Sequence, residues 1–334
     1  MMRGRMALSS LRRMPCARWY SKNTKLTNAE VSARQSHLFE NEKQRQLSLV
    51  TRIEKIRVKL LDKNNSCTLI MNKGLSTPYN VAMHLNKLYR DRSALALVNG
   101  EVWDMLRPLT EDCEVELLHF KCDKPQEVNK AYWRSCSHML GAIIASAFKD
   151  DFFVDLVRAP DVPVTAGCFC YDVDLHMDDW SPTLQELMCL SQDAFKMQEK
   201  ELPFERLAVD TNLALEIFQD NRFKKKQITE SGKSTTTLYR CGDFVDVSDG
   251  PMVTSTRFAT NFSITAVHNI KSSHSEHGKL QRFQGVALPS DFRRIHHTVL
   301  TPIENRAKIP VYTDSDGPWI EEKEDTQLQK ETSV

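Results

Sequence analysis

Residues 131–148 read AYWRSCSHMLGAIIASAF and carry the chain's clearest helical pattern. Apolar residues recur there at the i, i+3, i+4 and i+7 spacing that places them on one buried stripe of an α-helix. These residues are Cys136, Met139, Leu140, Ile143, Ile144, Ala147 and Phe148. Arg134 and His138 stand four positions apart, so the pattern predicts that both side chains point to one common side outside the stripe. Their layout is that of a helical HxxxH pair whose first histidine is replaced.

Residues 244–253 read FVDVSDGPMV and predict a strand that ends in a Gly-Pro turn, which presents side chains to a cleft. The two segments together resemble the editing domain of bacterial-type threonyl-tRNA synthetases, whose signature is HxxxH on a helix and CxxxH at a strand end. In this resemblance Arg134 takes the place of the first histidine and His138 matches the second. Ser248 takes the place of the cysteine, and Met252 takes that of the last histidine.

The four matched positions predict a degenerate site without catalytic activity, metal or cofactor. Arg134 stays protonated and has no free lone pair, so it neither binds a metal nor acts as a base. The hydroxyl of Ser248 and the thioether of Met252 are poor replacements for thiolate and imidazole ligands. His138 is then expected to be a packed or hydrogen-bonded helix residue, and a role as a ligand or base is the alternative.

Residues 52–122 predict a small β-grasp domain. Two strand-like runs precede a helix that begins after the N-cap Thr77 and ends near Arg90. Asn99-Gly100 lies between two apolar runs and is the strongest short signal for a hairpin, because a type I′ turn needs positive φ at both positions. A final apolar run closes the sheet, which gives the element order β-β-α-β-β-β.

The same domain resembles the TGS domain at the amino end of threonyl-tRNA synthetases. The family pattern is a Val-Asn-Gly turn, an aspartate, an Arg-Pro-Leu segment and acids before the last strand. It appears here as residues 98–100, Asp104, residues 107–109 and residues 111–112. Because TGS domains also occur in some GTPases and stringent-response enzymes, this domain alone indicates only attachment to translation or its regulation.

Residues 127–290 resemble the synthetase editing domain. Besides the two signature segments, the similarity includes a strand at 167–174, read as GCFCYDVD, and a helix at 214–223. The resemblance ends near Pro289, and the class II catalytic core that would aminoacylate tRNA is not matched. The sequence therefore predicts an α+β protein in which a β-grasp domain is followed by an editing-like domain.

This arrangement resembles the threonyl-tRNA-synthetase-like proteins of the mitochondrial large ribosomal subunit. The resemblance implies a structural role in mitochondrial translation, with other large-subunit proteins and mitochondrial rRNA as partners and no small-molecule substrate. Two alternatives remain open: a free-standing deacylase of mischarged seryl-tRNA, and a TGS-containing regulator that binds a nucleotide or another ligand. The three replaced positions argue against the deacylase, and the lack of a GTPase or synthetase motif argues against the regulator.

The first twenty residues contain five arginines and no acid, and the first acidic residue is Glu30. This composition is typical of mitochondrial import, since a secretory signal would need a continuous apolar segment. Residues 1–20 are therefore predicted to be a transit peptide cleaved after Tyr20, which places the mature protein in the matrix; a disordered basic arm is the alternative. Without these arginines the formal net charge changes from +1 to −4, so any RNA contact is expected to be local.

Residues 21–51 predict a helical N-terminal extension that begins with a capping box at 27–30 and contains few apolar residues. Such a helix is either a solvated spacer or docks outside its own domain. In the second case its cations are candidates for phosphate contacts with RNA. They are Arg34, Lys43 and Arg45, with Arg52 directly after the extension.

A second basic cluster, RFKKK at 222–226, combines cations with an aromatic ring and is a candidate for RNA contact. The candidate residues are Arg222, Lys224, Lys225 and Lys226. The alternative is a solvated helix end, because cations are favoured at helix C-termini. Residues 291–334 are predicted to be a mostly disordered tail, in which acids outnumber lysines from Asp314 onward.

The length of 334 residues allows two or three domains. Nine cysteines without a CxxC pair predict reduced thiols rather than a disulfide framework or a zinc ribbon. No apolar run approaches the length of a membrane span, so a membrane-spanning protein is not expected.

Overall fold

The structure, a computed structural model, describes residues 26–62, 66–123, 125–149, 152–177, 180–271 and 279–313. The predicted transit peptide and the acidic tail from Asp314 lie outside these residues. Within them, an N-terminal helix is followed by a β-grasp domain, a larger α+β domain and a C-terminal helix. The predicted α+β class and the order of its two domains are confirmed.

Helix α1 (Asn28–Ser48) begins with the predicted capping box, in which Thr27 and Glu30 each accept a hydrogen bond from the other's backbone N–H. Its aromatic residue Phe39 is fully buried against strands and helices of the second domain. The guanidinium of Arg240 lies over the Phe39 ring, 4.7 Å from its centroid. The helix thus docks on the second domain of its own chain, which favours the docked alternative over the solvated spacer.

The β-grasp domain is built from a five-stranded sheet and two helices. The elements are β1 (Lys55–Leu60), β2 (Cys67–Asn72), α2 (Pro78–Leu85), α3 (Lys87–Arg92), β3 (Leu95–Val98), β4 (Glu101–Trp103) and β5 (Cys113–Leu118). The sheet order is β2-β1-β5-β3-β4, and β1 and β5 are parallel neighbours. Alternate residues of β1 enter the domain core beside the helices: Ile56, Val58 and Leu60.

Two local predictions for this domain have different outcomes. The hairpin at Asn99 and Gly100 is confirmed, since their φ angles are 51° and 85°. The single predicted helix is wrong, because the chain forms α2 and α3 with Asn86 between them. Asn86 has extended backbone angles, and its side chain accepts a 3.1 Å hydrogen bond from the Tyr89 N–H. This local cap competes with continuation of the helix.

The second domain contains two antiparallel sheets and four α-helices in its described residues. The helices are α4 (Gln126–Ala147), α5 (Leu184–Glu199), α6 (Thr211–Ile217) and α7 (Arg222–Ser231). The strands are β6 (Asp155–Arg158), β7 (Phe169–Asp174), β8 (Glu205–Asp210), β9 (Thr235–Cys241), β10 (Phe244–Val247), β11 (Ala259–Lys271) and β12 (Lys279–Pro289). One sheet has the order β11-β12-β7-β6 and the other β10-β9-β8. Helix α4 contacts strands of both sheets, so nearly all of its middle is buried.

The predicted helix at 214–223 is also divided in the structure, because α6 ends at Ile217 and α7 begins at Arg222. Asn221 accepts a 2.9 Å hydrogen bond from the Lys224 N–H and donates a 2.8 Å hydrogen bond to the Leu156 carbonyl. Asn221 is therefore the N-cap of a new helix, which the sequence pattern did not reveal.

The prediction of a mostly disordered tail differs from the structure over residues 291–313. This segment contains α8 (His297–Arg306), and its backbone carbonyls accept hydrogen bonds from side chains of β12. Gln284 donates to Ala307 at 3.0 Å and to Ile309 at 2.9 Å, and Arg282 donates to Val311 at 2.7 Å. Gln284 and Arg282 are buried and need partners. These hydrogen bonds order the segment, and no local sequence signal predicts them.

The eight cysteines of the described residues are all free thiols. In the same part of the chain, no helix combines the length and the apolar character needed to cross a membrane.

Candidate functional site

The two segments that the sequence singles out lie against each other in the structure. Arg134 of α4 donates a 3.1 Å hydrogen bond to the Pro251 carbonyl. The hydroxyl of the next residue, Ser135, accepts a 2.9 Å hydrogen bond from the Val253 N–H and donates to the Ala131 carbonyl at 2.7 Å. These contacts hold the turn after β10 on the surface of α4, which is the arrangement that the editing-domain resemblance implies.

His138 does not face an open cleft. Its side chain is 2 % exposed and packs edge-on against Phe204 and Phe244, at centroid distances of 5.8 and 4.9 Å. Its Nε2 atom has no hydrogen-bond partner among the described residues. Burial lowers the pKa of His138 to about 4, so the imidazole is neutral at neutral pH. Strands of both sheets pack on α4, so the side of the helix that carries His138 is covered as well as the apolar stripe.

Met252 and Ser248 also form contacts within the protein. The Met252 side chain is buried in the main core cluster, and its N–H donates a 2.9 Å hydrogen bond to Asp104 Oδ1. Ser248 Oγ accepts from the Gly250 N–H at 3.3 Å. No group of three or more His, Cys, Asp or Glu residues in the described ranges is arranged to hold a metal ion.

Asp104, a residue of the β-grasp domain, lies in the interior next to this turn. Its Oδ1 atom accepts a 2.7 Å hydrogen bond from the Tyr239 hydroxyl as well as the bond from Met252, and Oδ2 lies 3.7 Å from Arg206 Nε. Burial raises the pKa of Asp104, although these donors oppose the shift. A Cβ at Gly250 would lie 2.0 Å from the Tyr239 hydroxyl, so the turn can approach Tyr239 only with glycine there. The sequence marks Asp104 as part of the TGS pattern but gives no sign of this partner.

A second buried carboxylate is that of Asp246 in β10, the strand that precedes the turn. It accepts a 2.6 Å hydrogen bond from the Tyr171 hydroxyl and pairs with Lys224 Nζ at 2.5 Å. Lys224 is fully buried, and a Cβ at Gly141 of α4 would lie 2.6 Å from the Tyr171 ring. The network joins α7, β7 and β10, and α4 packs closely on Tyr171 at Gly141. The sequence did not predict this role for any of its members.

This network corrects the prediction that Lys224 contacts RNA. The lysine belongs to the interior because Asp246 needs a compensating charge there. Arg222 pairs with Asp174 at 3.3 Å and Lys226 with Glu230 at 3.7 Å, whereas Lys225 is exposed. The alternative of a helix C-terminus is also wrong, since α7 begins at Arg222 and the cluster occupies its first turns.

The predicted phosphate-binding cations of α1 form ion pairs within the chain. Arg34 pairs with Asp220, Lys43 with Glu205 at 2.7 Å, and Arg45 with Glu42 at 2.6 Å. The first two pairs connect α1 to the second domain. These contacts give Arg34 and Lys43 a role in docking the helix.

Comparisons with known proteins identify a TGS domain and a relationship to threonine–tRNA ligases. Residues 69–119 match the family model described as TGS domain. The chain is 31% identical over 220 residues to the "Probable threonine--tRNA ligase 1, cytoplasmic" of Dictyostelium discoideum, covering 65% of this chain and 29% of the ligase. It is 33% identical over 223 residues to the "Threonine--tRNA ligase 2, cytoplasmic" of Homo sapiens, covering 65% of this chain and 26% of the ligase. The chain thus corresponds to less than a third of either ligase.

The fold and these matches define a protein of the threonyl-tRNA-ligase-related class that carries TGS and editing-like domains. Similarity to another relative extends over most of both chains. The "Large ribosomal subunit protein mL39" of Drosophila melanogaster is 40% identical over 300 residues, which are 89% of this chain and 90% of the relative. The chain belongs to the mL39 family.

Proposed function

We propose that the protein is a structural component of the large subunit of the mitochondrial ribosome and supports mitochondrial translation there. The observation that carries this proposal is the 40% identity to the fly mL39 protein over 90% of that relative. Other large-subunit proteins and, through local contacts, rRNA are the partners, and the mitochondrial matrix is the location.

The editing-like region has a structural role and does not act as an active site. Arg134 bonds to a carbonyl, His138 is buried and neutral at neutral pH, and the Met252 side chain lies in the core. An ester hydrolase needs a held water, a base that reaches it and donors for the oxyanion. Arg134, Ser135 and Asp104 bond to the backbone of the turn, and His138 is enclosed by two phenylalanine rings, so we infer that the region does not deacylate tRNA.

Sedimentation of mitochondrial lysate on a sucrose gradient tests the ribosomal assignment. The protein should migrate with the large-subunit rRNA, and it should remain there at moderate salt because protein contacts accompany the phosphate contacts. Chelation of Mg²⁺ should shift the protein together with the large-subunit particle. A protein that runs at the top of the gradient, or that leaves the particle at low salt, would contradict the proposal.

A further inference from the structure

Most of the cations that the sequence predicts to contact RNA form ion pairs with acids of the same chain. The ion pairs of Arg34, Lys43, Arg222 and Lys224 described above orient them toward acids of the second domain. An rRNA contact therefore requires another surface with accessible positive charge. The junction between β12 and α8 provides one.

The Phe292 patch consists of Lys121, Phe292, Arg293, Arg294, His296 and His297, all exposed. Phe292 is 46 % exposed, and Lys121 Nζ lies 5.5 Å from the centroid of its ring. The rings of His296 and His297 lie close together in a tilted arrangement, with centroids 4.2 Å apart and an angle of 42° between the ring planes. Asp291 is the single acid between Ser290 and His297 in the sequence.

The two arginines of the patch differ from the cations described above in their ion pairing. Within the described residues, the structure shows no ion pair for the guanidinium groups of Arg293 and Arg294, and both residues are exposed. An arginine guanidinium carries a planar set of donors that matches two phosphate oxygens at once. The pair is therefore available to an external anion without breaking an internal contact.

The backbone of the patch is held in place. Arg293 N–H donates to the Ser290 carbonyl at 3.4 Å, and the Asn261 side chain donates to the Arg293 carbonyl at 3.1 Å. On the far side, the carbonyl of Ala307 after α8 accepts hydrogen bonds from Thr265 and Gln284. Residues 290–295 line an open depression at the surface. A surface that is ordered before binding loses less conformational entropy on association.

We propose that the Phe292 patch is an rRNA-binding surface, with Arg293 and Arg294 on phosphates and an unpaired base stacked on Phe292. The proposal rests on the ribosomal function proposed above. RNA is favoured over an acidic protein because the patch combines cations with an exposed aromatic ring and two exposed imidazoles. Flat rings stack on bases, and a groove of positive charge follows the backbone.

Binding of a labelled single-stranded RNA of twelve nucleotides to the full chain tests the proposal. The Arg293→Gln/Arg294→Gln variant should bind at least about 10-fold more weakly, and the slope of log K against log salt should fall by about 1.4 for two lost phosphate contacts. The matched control is Arg57→Gln/Lys87→Gln, which removes the same charge from two exposed cations of the β-grasp domain. An equal loss in both variants would show that binding follows net charge alone and would overturn the proposal.

Phe292→Leu separates stacking from apolar contact, because leucine keeps the hydrophobic surface and removes the ring. We expect binding to weaken roughly 5-fold or more, as for the loss of one stacked base. A polyglutamate peptide of the same charge serves as the competing ligand. Binding to polyglutamate that equals RNA binding, with no effect of Phe292→Leu, would assign the patch to an acidic protein instead.

Ultraviolet cross-linking of gradient-purified large subunits distinguishes this proposal from the ribosomal function itself. Peptides cross-linked to rRNA should include residues 292–297, and the cross-link should be lost in Arg293→Gln/Arg294→Gln. If the protein sediments with the subunit but its cross-links map elsewhere, the patch assignment is wrong and the ribosomal function stands. If the protein is absent from the subunit, the proposed function itself has failed.

Discussion

Tyr239 donates a 2.7 Å hydrogen bond to Asp104, and this bond joins the editing-like domain to the β-grasp domain beside the turn that carries Ser248 and Met252. The same carboxylate accepts from the Met252 N–H at 2.9 Å. The β-grasp domain thus helps to set the conformation of the turn, and a group from outside the editing-like domain takes part in the site. These two hydrogen bonds couple the conformation of the second domain to that of the β-grasp domain.

Tyr239→Phe is expected to lower the free energy of unfolding by about 2 kcal/mol, because a buried hydrogen bond to a carboxylate is lost. Hydrogen exchange should rise at residues 248–254, where the turn relies on Asp104. Tyr171→Phe removes a comparable bond to Asp246 within the second domain and serves as the control. It should also destabilise the protein, but exchange near Asp104 should stay unchanged. Equal exchange patterns for the two variants would contradict the interdomain role.

Strong local signals predicted parts of the fold correctly. The type I′ turn at Asn99 and Gly100 and the capping box at Thr27 depend on neighbouring residues alone, so one sequence is enough to find them. The splits at Asn86 and Asn221 could not be distinguished from continuous helices, because asparagine is tolerated within helices and its capping role depends on where its side chain points.

The sequence predicted only part of the candidate site. The resemblance located α4 and the turn after β10, but the burial of His138 depends on packing by two sheets whose strands are distant in the chain. Lys224 looked like its neighbours in the RFKKK cluster, and only the position of Asp246 shows that it belongs to the interior. The order of residues 291–313 likewise depends on Gln284 and Arg282 in a strand. Pairings of this kind leave no periodic signal.

Phe39→Ala tests the docking of α1. The side chain is fully buried in a cluster with residues of the second domain, so its removal should cost about 3 to 5 kcal/mol of unfolding free energy in a denaturant titration. The matched change is Phe195→Ala on α5, where the ring is 56 % exposed. That variant should remain within about 0.5 kcal/mol of the wild type. Similar losses in both would indicate that α1 does not dock through Phe39.

Lys224→Met is expected to destabilise the protein by about 3 to 5 kcal/mol, because Asp246 is left as a buried charge without its cation. The adjacent Lys225 is exposed, and Lys225→Met should be nearly neutral. Adding Asp246→Asn to Lys224→Met should recover part of the loss, since the buried charge is then removed while an oxygen still accepts from Tyr171. Urea denaturation measures all three variants, and a neutral Lys224→Met would contradict the buried pair.

His138 should make stability fall in mild acid. Its pKa in the folded protein is about 4, below the ordinary value of 6.5, so the unfolded chain binds the proton more tightly. The resulting stability is complete above about pH 6.5 and is lost as the pH falls through 4, by up to about 3 kcal/mol. Relative to the His138→Leu variant, the free energy of unfolding of the wild type should fall by this amount from pH 7 to pH 4. His84→Leu changes an exposed histidine outside this core and serves as the control.

The last prediction concerns hydrolysis of mischarged tRNA. Seryl-tRNA of threonine specificity, incubated with the purified protein, should release serine no faster than in buffer. The buried imidazole of His138 lies between two phenylalanine rings, and the Arg134 guanidinium bonds to the Pro251 carbonyl. Each lost catalytic group can reduce a rate by about 10² to 10³, although losses of groups that act together are not additive. Release well above the background that disappears in His138→Ala would establish the deacylase alternative. Release that persists in His138→Ala would point to a contaminating hydrolase, because no other histidine matches the editing signature.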